Sequence, residues 1–134
     1  MKIQSRQFRV CWSLLVLLAA VTGCNTVSIN SLQYVGAPQF PPTNPAEVQI
    51  LREEPSRPIV KIGEVRAEPS TDNVSVQKIE AALREAGARM GANAVVIVSD
   101  RTETVGAFES GPAFGRQWQP IQGRVVIGVA IRYR

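Results

Sequence analysis

The feature that most constrains the fold is a segment, residues 75–100, in which an amphipathic helix runs into a buried strand. Its first part repeats apolar side chains at steps of three or four, which align on one helical face. These residues are Val76, Ile79, Leu83, Ala86 and Met90. Gly91 follows, where a helix commonly ends in a left-handed residue, and residues 94–98 are β-branched and apolar. A helix packed on such a strand predicts a two-layer α+β domain.

Three further segments have the pattern of strands. Residues 46–52 alternate apolar and polar side chains, and residues 59–66 resume the alternation after a Pro-rich break, with Gly63 marking a bulge. Residues 123–133 form the longest predicted strand. Short connections between strands favour antiparallel pairing. The prediction is one helix at about 75–90 on a mostly antiparallel four-stranded sheet at about 46–52, 59–66, 94–100 and 123–133.

Three finer predictions follow from the same patterns. Ser75 is preferred to Asp72 or Asn73 as the helix N-cap, because the periodic face begins at the next residue. The second and third strands are joined through the helix and are expected to lie parallel and adjacent. The last strand has one face of small or charged side chains, which is expected to meet solvent or a neighbour.

The first 23 residues have the organisation of a signal peptide. A positively charged start is followed by an apolar stretch at 11–21, well below the ~20 residues that span a bilayer as a helix. Val21, Thr22 and Gly23 then precede Cys24. This segment resembles the leader of bacterial lipoproteins, whose lipobox ends in a small residue, Gly and Cys. An uncleaved membrane anchor is the alternative reading.

The resemblance implies that signal peptidase recognises Val21, Thr22 and Gly23, and that Cys24 is acylated, with palmitate among its chains, and becomes the mature N-terminus. Asn25, in place of the Asp that retains such proteins at the inner membrane, implies the outer membrane, facing the periplasm. The membrane, reached through the anchor, is thus the first expected partner. Residues 24–45, with four prolines at 34–45, are predicted to be the lipidated N-terminus and a Pro-rich tether, with Tyr34 and Phe40 docking on the core. Residues 46–134 then form the domain.

Removal of the leader also changes the charge balance. The chain has 15 basic and 11 acidic residues. Three of the basic residues lie in the leader, so the side chains that follow it carry a net charge of +1. The mature domain therefore gives no support for a nucleic-acid partner. The two cysteines are Cys11 and Cys24, so no thiol is left for a disulfide.

Little in the sequence points to catalysis. The chain has no histidine, which removes the usual general base and the commonest metal ligand. The carboxylates of Glu53, Glu54, Asp72 and Asp100 are each explained by a solvated turn, a helix cap or a charged strand end. The sequence therefore predicts no enzyme, no cofactor and no metal.

The segment 101–122 is predicted to be a long loop or an irregular hairpin arm, because it is rich in glycine and proline. It carries the candidate partner-binding residues Phe108, Phe114, Arg116 and Trp118. Aromatic and Arg side chains dominate binding hot spots. The alternative, which we favour on the sequence alone, is that the aromatic residues fold back and cover the open face of the sheet.

Residues 88–97, with their Met-Gly-Ala-Asn-Ala-Val turn from helix to strand, resemble a theme in small bacterial envelope proteins, among them the Rcs stress-sensor lipoprotein and the YbjQ-like domains. The resemblance implies a compact α+β domain tethered to the envelope. The disulfides of the Rcs sensor have no counterpart here. The first hypothesis is a non-enzymatic lipoprotein that binds another envelope component, such as a protein partner, or assembles with itself. A stress-sensing or regulatory lipoprotein is the alternative, and a hydrolase acting on envelope material is the third.

Overall fold

The helix lies where its sequence pattern places it. In the computed structural model, which describes residues 27–134, α1 spans Val76–Arg89. Ser75 is the N-cap, and its side chain accepts a hydrogen bond from a backbone N–H of the first turn at 3.4 Å. Gly91 has φ +78°, and the next backbone N–H donates to the Gly87 carbonyl at 2.9 Å. This is a Schellman motif, so the predicted cap and stop of the helix are both confirmed.

The helix packs on a five-stranded mixed sheet, so the α+β prediction is confirmed and the prediction of four strands is wrong. The strands are β1 (Val27–Gln33), β2 (Gln49–Leu51), β3 (Ile59–Pro69), β4 (Ala94–Ser110) and β5 (Gln117–Tyr133). Their order across the sheet is β1-β3-β5-β4-β2. β2 lies parallel to β4, and every other neighbouring pair is antiparallel. A single 3₁₀ turn, Pro45–Glu47, takes the place of the first residues of the strand predicted at 46–52.

β1 is the strand that the sequence did not predict, because residues 25–33 have the composition of a tether. It pairs along its whole length with β3. Gly63 makes this close approach feasible: a Cβ there would overlap the Leu32 carbonyl oxygen and lie 2.5 Å from the Met90 Cε. Val27 is buried in the core, whereas most other β1 side chains face solvent. The strand is polar because it lies at the edge of the sheet.

The Pro-rich segment after β1 is docked on the domain, which differs from the predicted tether. The Thr43 backbone N–H donates to the Ala88 carbonyl at 2.9 Å, and its hydroxyl donates to the Ala92 carbonyl at 2.6 Å. Phe40 packs against the core, with the Arg132 guanidinium 4.7 Å from the ring centroid. The expected docking on the core is therefore confirmed for Phe40, whereas Tyr34 is exposed, so the expectation is wrong for that residue. The segment covers the end of α1.

The strands predicted at 59–66 and 94–100 are parallel in direction but not adjacent, because β5 lies between β3 and β4. β4 and β5 are consecutive and pair with each other from Ala94 to Ser110. This long hairpin fixes β5 as the neighbour of β4, and β3 is then left with the other edge of β5. The predicted adjacency is wrong for that reason.

A bulge resolves the mismatched alternation in β3. The register between β3 and β5 shifts between Lys61 and Gly63, as predicted. It places Ile62 and Val65 together in the core cluster, and neither side chain is exposed.

The small-residue face of β5, expected to meet solvent or a neighbour, is packed under the helix of its own domain, so the first of these alternatives is wrong. Val126 and Ala130 are buried in the same cluster as Leu83. A Cβ on Gly128 would overlap the Cγ1 of Val95. Gly128 therefore leaves room for the Val95 side chain of the neighbouring strand β4. The bulkier face of β5 lies on the outer side of the sheet, where Ile131 packs in a second cluster with residues of β4.

Candidate functional site: a projecting β-hairpin arm

β4 and β5 continue beyond the rest of the sheet as a two-stranded ribbon. They stay paired as far as Ser110 and Gln117, whereas the pairing of β3 on β5 reaches only Val126. We call residues 104–122 the arm. Its strands are regular apart from a register shift between Thr104 and Gly106. Of the two structures predicted for 101–122, a long loop or a hairpin arm, the hairpin is the one observed.

The tip of the arm is a compact turn. Gly111 has φ +119°, and a Cβ there would lie 2.6 Å from the Gly115 carbonyl oxygen. The Gly115 backbone N–H donates to the Pro112 carbonyl at 2.9 Å. Arg116 and Glu109 form an ion pair of 3.4 Å across the base of this turn. The glycines and proline that suggested an irregular segment are therefore the residues that close a tight turn.

The aromatic side chains of the arm are exposed and do not gather on one surface. The exposed fraction is 49% for Phe108, 72% for Trp118 and 103% for Phe114. Phe108 lies opposite Gln119 in the register, and Glu109, the residue after Phe108, lies opposite Trp118. Because successive side chains of a strand alternate between faces, Phe108 and Trp118 lie on opposite faces of the arm. The interpretation that these residues cover the sheet is wrong.

The arm leaves the sheet at the end where the described chain begins. Val27, the first described residue, pairs with Pro69 at the end of β3. Pro69 also borders the base of the arm: a Cβ on Gly123 would lie 2.9 Å from the Pro69 Cγ and 2.8 Å from the Val105 side chain. The entry of the chain into the sheet and the start of the arm are thus neighbours.

A bidentate ion pair lies on the helix side of the sheet. The Asp100 carboxylate accepts two hydrogen bonds of 2.6 Å from Arg124, and Arg52 lies 3.7 Å away. Arg52 is also 3.9 Å from Glu80 of α1, so the cluster joins sheet and helix. The hydrogen bonds from Arg124, together with the nearby charge of Arg52, hold the pKa of Asp100 below its ordinary value. This carboxylate is ionised at neutral pH.

Two other carboxylates, Glu103 and Glu54, lie away from this cluster. Glu103 is on the opposite face of β4 from Asp100, three residues along a regular stretch, and binds Arg66 at 3.0 Å and Arg101 at 2.6 Å. Glu54 pairs with Lys61 at 3.0 Å. The acids do not converge on a common cavity. Within residues 27–134 no group of three or more potential ligands is placed to hold a metal.

The concave features of the domain are modest. A groove of about 420 Å³ lies between β1 and α1 and is open to solvent. Its lining is Val27, Ser28, Ile29, Ser70, Ala82, Glu85 and Arg89. A second space, of about 10 Å³, lies beside Asp100. Neither contains an aromatic residue of the arm.

Replacing Asp100 by asparagine is expected to cost about 1 kcal/mol of stability at neutral pH. The pair is worth more than a fully exposed ion pair because it is bidentate, but the Arg124 side chain is 40% exposed, so solvent screens it. Since the folded-state pKa is depressed, this stability is present above the ordinary aspartate pKa of about 3.9 and is lost as the pH falls through the lower folded value. Urea unfolding of both proteins at pH 7 and pH 3 measures the difference.

A matched control for this prediction is Glu109→Gln, which removes the exposed ion pair of the arm and is expected to change stability little. A difference between wild type and Asp100→Asn that stays the same at both pH values would show that the effect does not arise from the charge.

The predicted lipidation residue Cys24 and the recognition residues Val21, Thr22 and Gly23 lie outside the described residues. Among those described, no helix has both the length and the hydropathy needed to cross a bilayer. Sequence reasoning found every aromatic residue of the arm but missed the Asp100–Arg124 pair, because a contact between strands 24 residues apart leaves no local pattern. It also missed the contact of Pro69 with the base of the arm.

Fold and site together define an α+β protein with one helix on a five-stranded mixed sheet and a long, aromatic hairpin. No protein-family model matches the chain, and no curated protein does. Among solved structures, the chain is similar to the crystal structure of the Francisella virulence factor FvfA in its orthorhombic form. The identity is 16% and the TM-score 0.48, over 78% of this chain and 96% of that one.

Proposed function

We propose that this chain is a non-enzymatic lipoprotein of the bacterial outer membrane, facing the periplasm, that binds another envelope component through the arm. The observation that carries the proposal is the exposure of the arm's aromatic side chains. Large apolar groups held away from the core on a paired ribbon are typical of binding elements. The lipobox resemblance at Cys24 supports the anchor.

The carboxylates support a binding role over a catalytic one. A general acid or base needs a proton to exchange near the working pH and a free position facing a substrate. Asp100 has a depressed pKa and is occupied by Arg124, and Glu103 is held by two arginines on the other face of the sheet. The stress-sensing alternative has no separate structural feature in its favour.

Site-specific photocrosslinking in intact cells tests the proposal. A photoreactive phenylalanine analogue at position 118 is expected to give a defined adduct, identified by mass spectrometry as protein or lipid. The matched control is the same analogue at position 35, because Val35 is equally free of the core but lies at the far end of β1. Position 35 is expected to give no such adduct.

A third probe at position 98 makes the result decisive. Val98 is 58% exposed on the outer face of the sheet, beside Val96 and Val129. Adducts from position 98 but not from position 118 would assign binding to the outer face of the sheet and would contradict binding through the arm. Equal adducts from all three positions would indicate collisions without a site.

A further inference from the structure

We infer that the component bound by the arm is the lipid bilayer that holds the anchor, and that the aromatic side chains lie among the lipid headgroups. This inference rests on the proposed acylation of Cys24. It deepens the proposed function by naming the partner. Three features of the described residues carry it: the short reach from anchor to sheet, the direction of the arm and the distribution of its side chains.

The first feature is the short reach between anchor and domain. Val27 is already paired with Pro69 in the sheet. Three residue steps separate it from Cys24, and a fully extended chain spans at most about 3.6 Å per step, or about 11 Å. Had residues 25–45 been a free tether, the domain could have stood far from the membrane. The incorporation of β1 into the sheet removes that freedom.

The second feature is the direction of the arm. Gly123, the residue next to the arm, lies beside Pro69, at the same end of the sheet as Val27. Six residue steps separate Gly123 from Gln117, which at ~3.3 Å per step gives a ribbon of about 20 Å before the turn is counted. The arm is therefore longer than the longest connection to the anchor. With Cys24 at the bilayer surface, the arm reaches the bilayer.

The third feature is the distribution of side chains on the arm. A ribbon that binds a protein pocket contacts it mainly with one face. Here Phe108 and Trp118 lie on opposite faces of the arm, and Phe114 lies at its tip. A ribbon immersed in a headgroup layer has the same surroundings on every side. Its two charged residues, Glu109 and Arg116, neutralise each other at 3.4 Å. Aromatic side chains with neutral surroundings are typical of the membrane interface.

The backbone sets the depth of the arm. A two-stranded ribbon leaves the outer N–H and C=O groups of both strands without strand partners, and such groups cost several kcal/mol each in hydrocarbon. They are readily satisfied by headgroups and water. The Gln side chains at positions 117, 119 and 122 fit the same layer. The arm therefore lies in the interface and does not enter the acyl core.

Trp118 provides the measurement, because it is the only tryptophan after Cys24. The protein purified from membranes is reconstituted into vesicles of phosphatidylethanolamine and phosphatidylglycerol, with bromine at shallow or deep acyl positions or with no bromine. We expect most of the Trp118 emission to be lost with shallow bromines and less with deep ones. The emission maximum should lie at shorter wavelength than that of a water-exposed indole.

The control is the Trp118→Phe, Val35→Trp double variant, which moves the probe to an exposed site at the far end of β1. We expect its emission to be unaffected by bromine. Equal quenching of both proteins would show that the domain lies on the bilayer without using the arm, and would overturn the inference. Unquenched Trp118 in vesicles would overturn it as well.

Mass spectrometry of the same sample separates this failure from failure of the proposed function. An acylated protein with unquenched Trp118, and with protein adducts from position 118 in the crosslinking experiment, overturns only the bilayer assignment. A protein without acyl chains on Cys24 overturns both, because the short connection would then lead to no anchor.

Discussion

Replacement of Leu83 by alanine is expected to lower the free energy of unfolding by about 3–4 kcal/mol, since buried Leu→Ala changes cost ~2–5 kcal/mol. Leu83 has no exposed surface and lies at the centre of the cluster between α1 and the sheet. Its neighbours in the sheet belong to strands that are paired over many residues, so the cavity left behind collapses only in part. Whole domains are stable by only about 5–15 kcal/mol, so the change removes a large part of the total.

Urea unfolding followed by far-ultraviolet circular dichroism measures this loss. Leu32→Ala is the matched control: it deletes the same atoms from a side chain that is 68% exposed on β1 and is expected to cost less than about 0.5 kcal/mol. The midpoint of Leu83→Ala should fall by more than about 1 M urea with an unchanged slope. Similar midpoints for the two variants would contradict the assignment of Leu83 to the core.

The helix and its caps could be predicted because their causes are local. The apolar spacing, the Ser75 cap and the Gly91 stop all act within a few residues of chain. The bulge at Gly63 was predicted from the same kind of local mismatch. By contrast, β1 is polar and depends on the absence of a side chain at Gly63, which lies some thirty residues further along the sequence.

The strand order and the faces of β5 were mispredicted for a related reason. Alternation shows that Val126 and Ala130 share a face of β5, but it does not show which layer that face contacts. The small side chains on this face favoured contact with solvent. In the structure, Ala130 is buried in the cluster under the helix, and Gly128 leaves room for Val95 of β4. Which face meets the helix depends on packing between distant segments, and a single sequence does not contain that information in any local pattern.

The candidate site was predicted in its residues but not in its geometry. Phe108, Phe114, Arg116 and Trp118 were singled out together, and the structure places all four on the arm. Their separation onto opposite faces depends on the hairpin register, which pairs Glu109 with Trp118. The proximity of the arm to the start of β1 depends on three strands together. Because of that proximity, acylation of the predicted residue Cys24 would bring the arm close to a bilayer.

Replacement of Cys24 by alanine is expected to abolish incorporation of labelled palmitate into the protein. The chain has two cysteines, and the lipobox resemblance assigns acylation to Cys24 alone. Each buried methylene contributes about 0.8 kcal/mol to membrane binding, and a single acyl chain gives only marginal attachment, so several chains on one residue make a stable anchor. Metabolic labelling with radioactive palmitate, followed by purification and electrophoresis, measures the effect.

The chain supplies its own control, because Cys11 is the other cysteine and lies in the predicted leader. Cys11→Ala is expected to retain full labelling and to yield a mature protein that begins at residue 24. Membrane fractionation alone is a weaker measurement, since an uncleaved leader also holds a protein at the membrane through its apolar stretch. Label retained by Cys24→Ala, or lost from Cys11→Ala, would contradict the lipoprotein assignment. The short connection from Cys24 to Val27 would then no longer bring the arm to a bilayer.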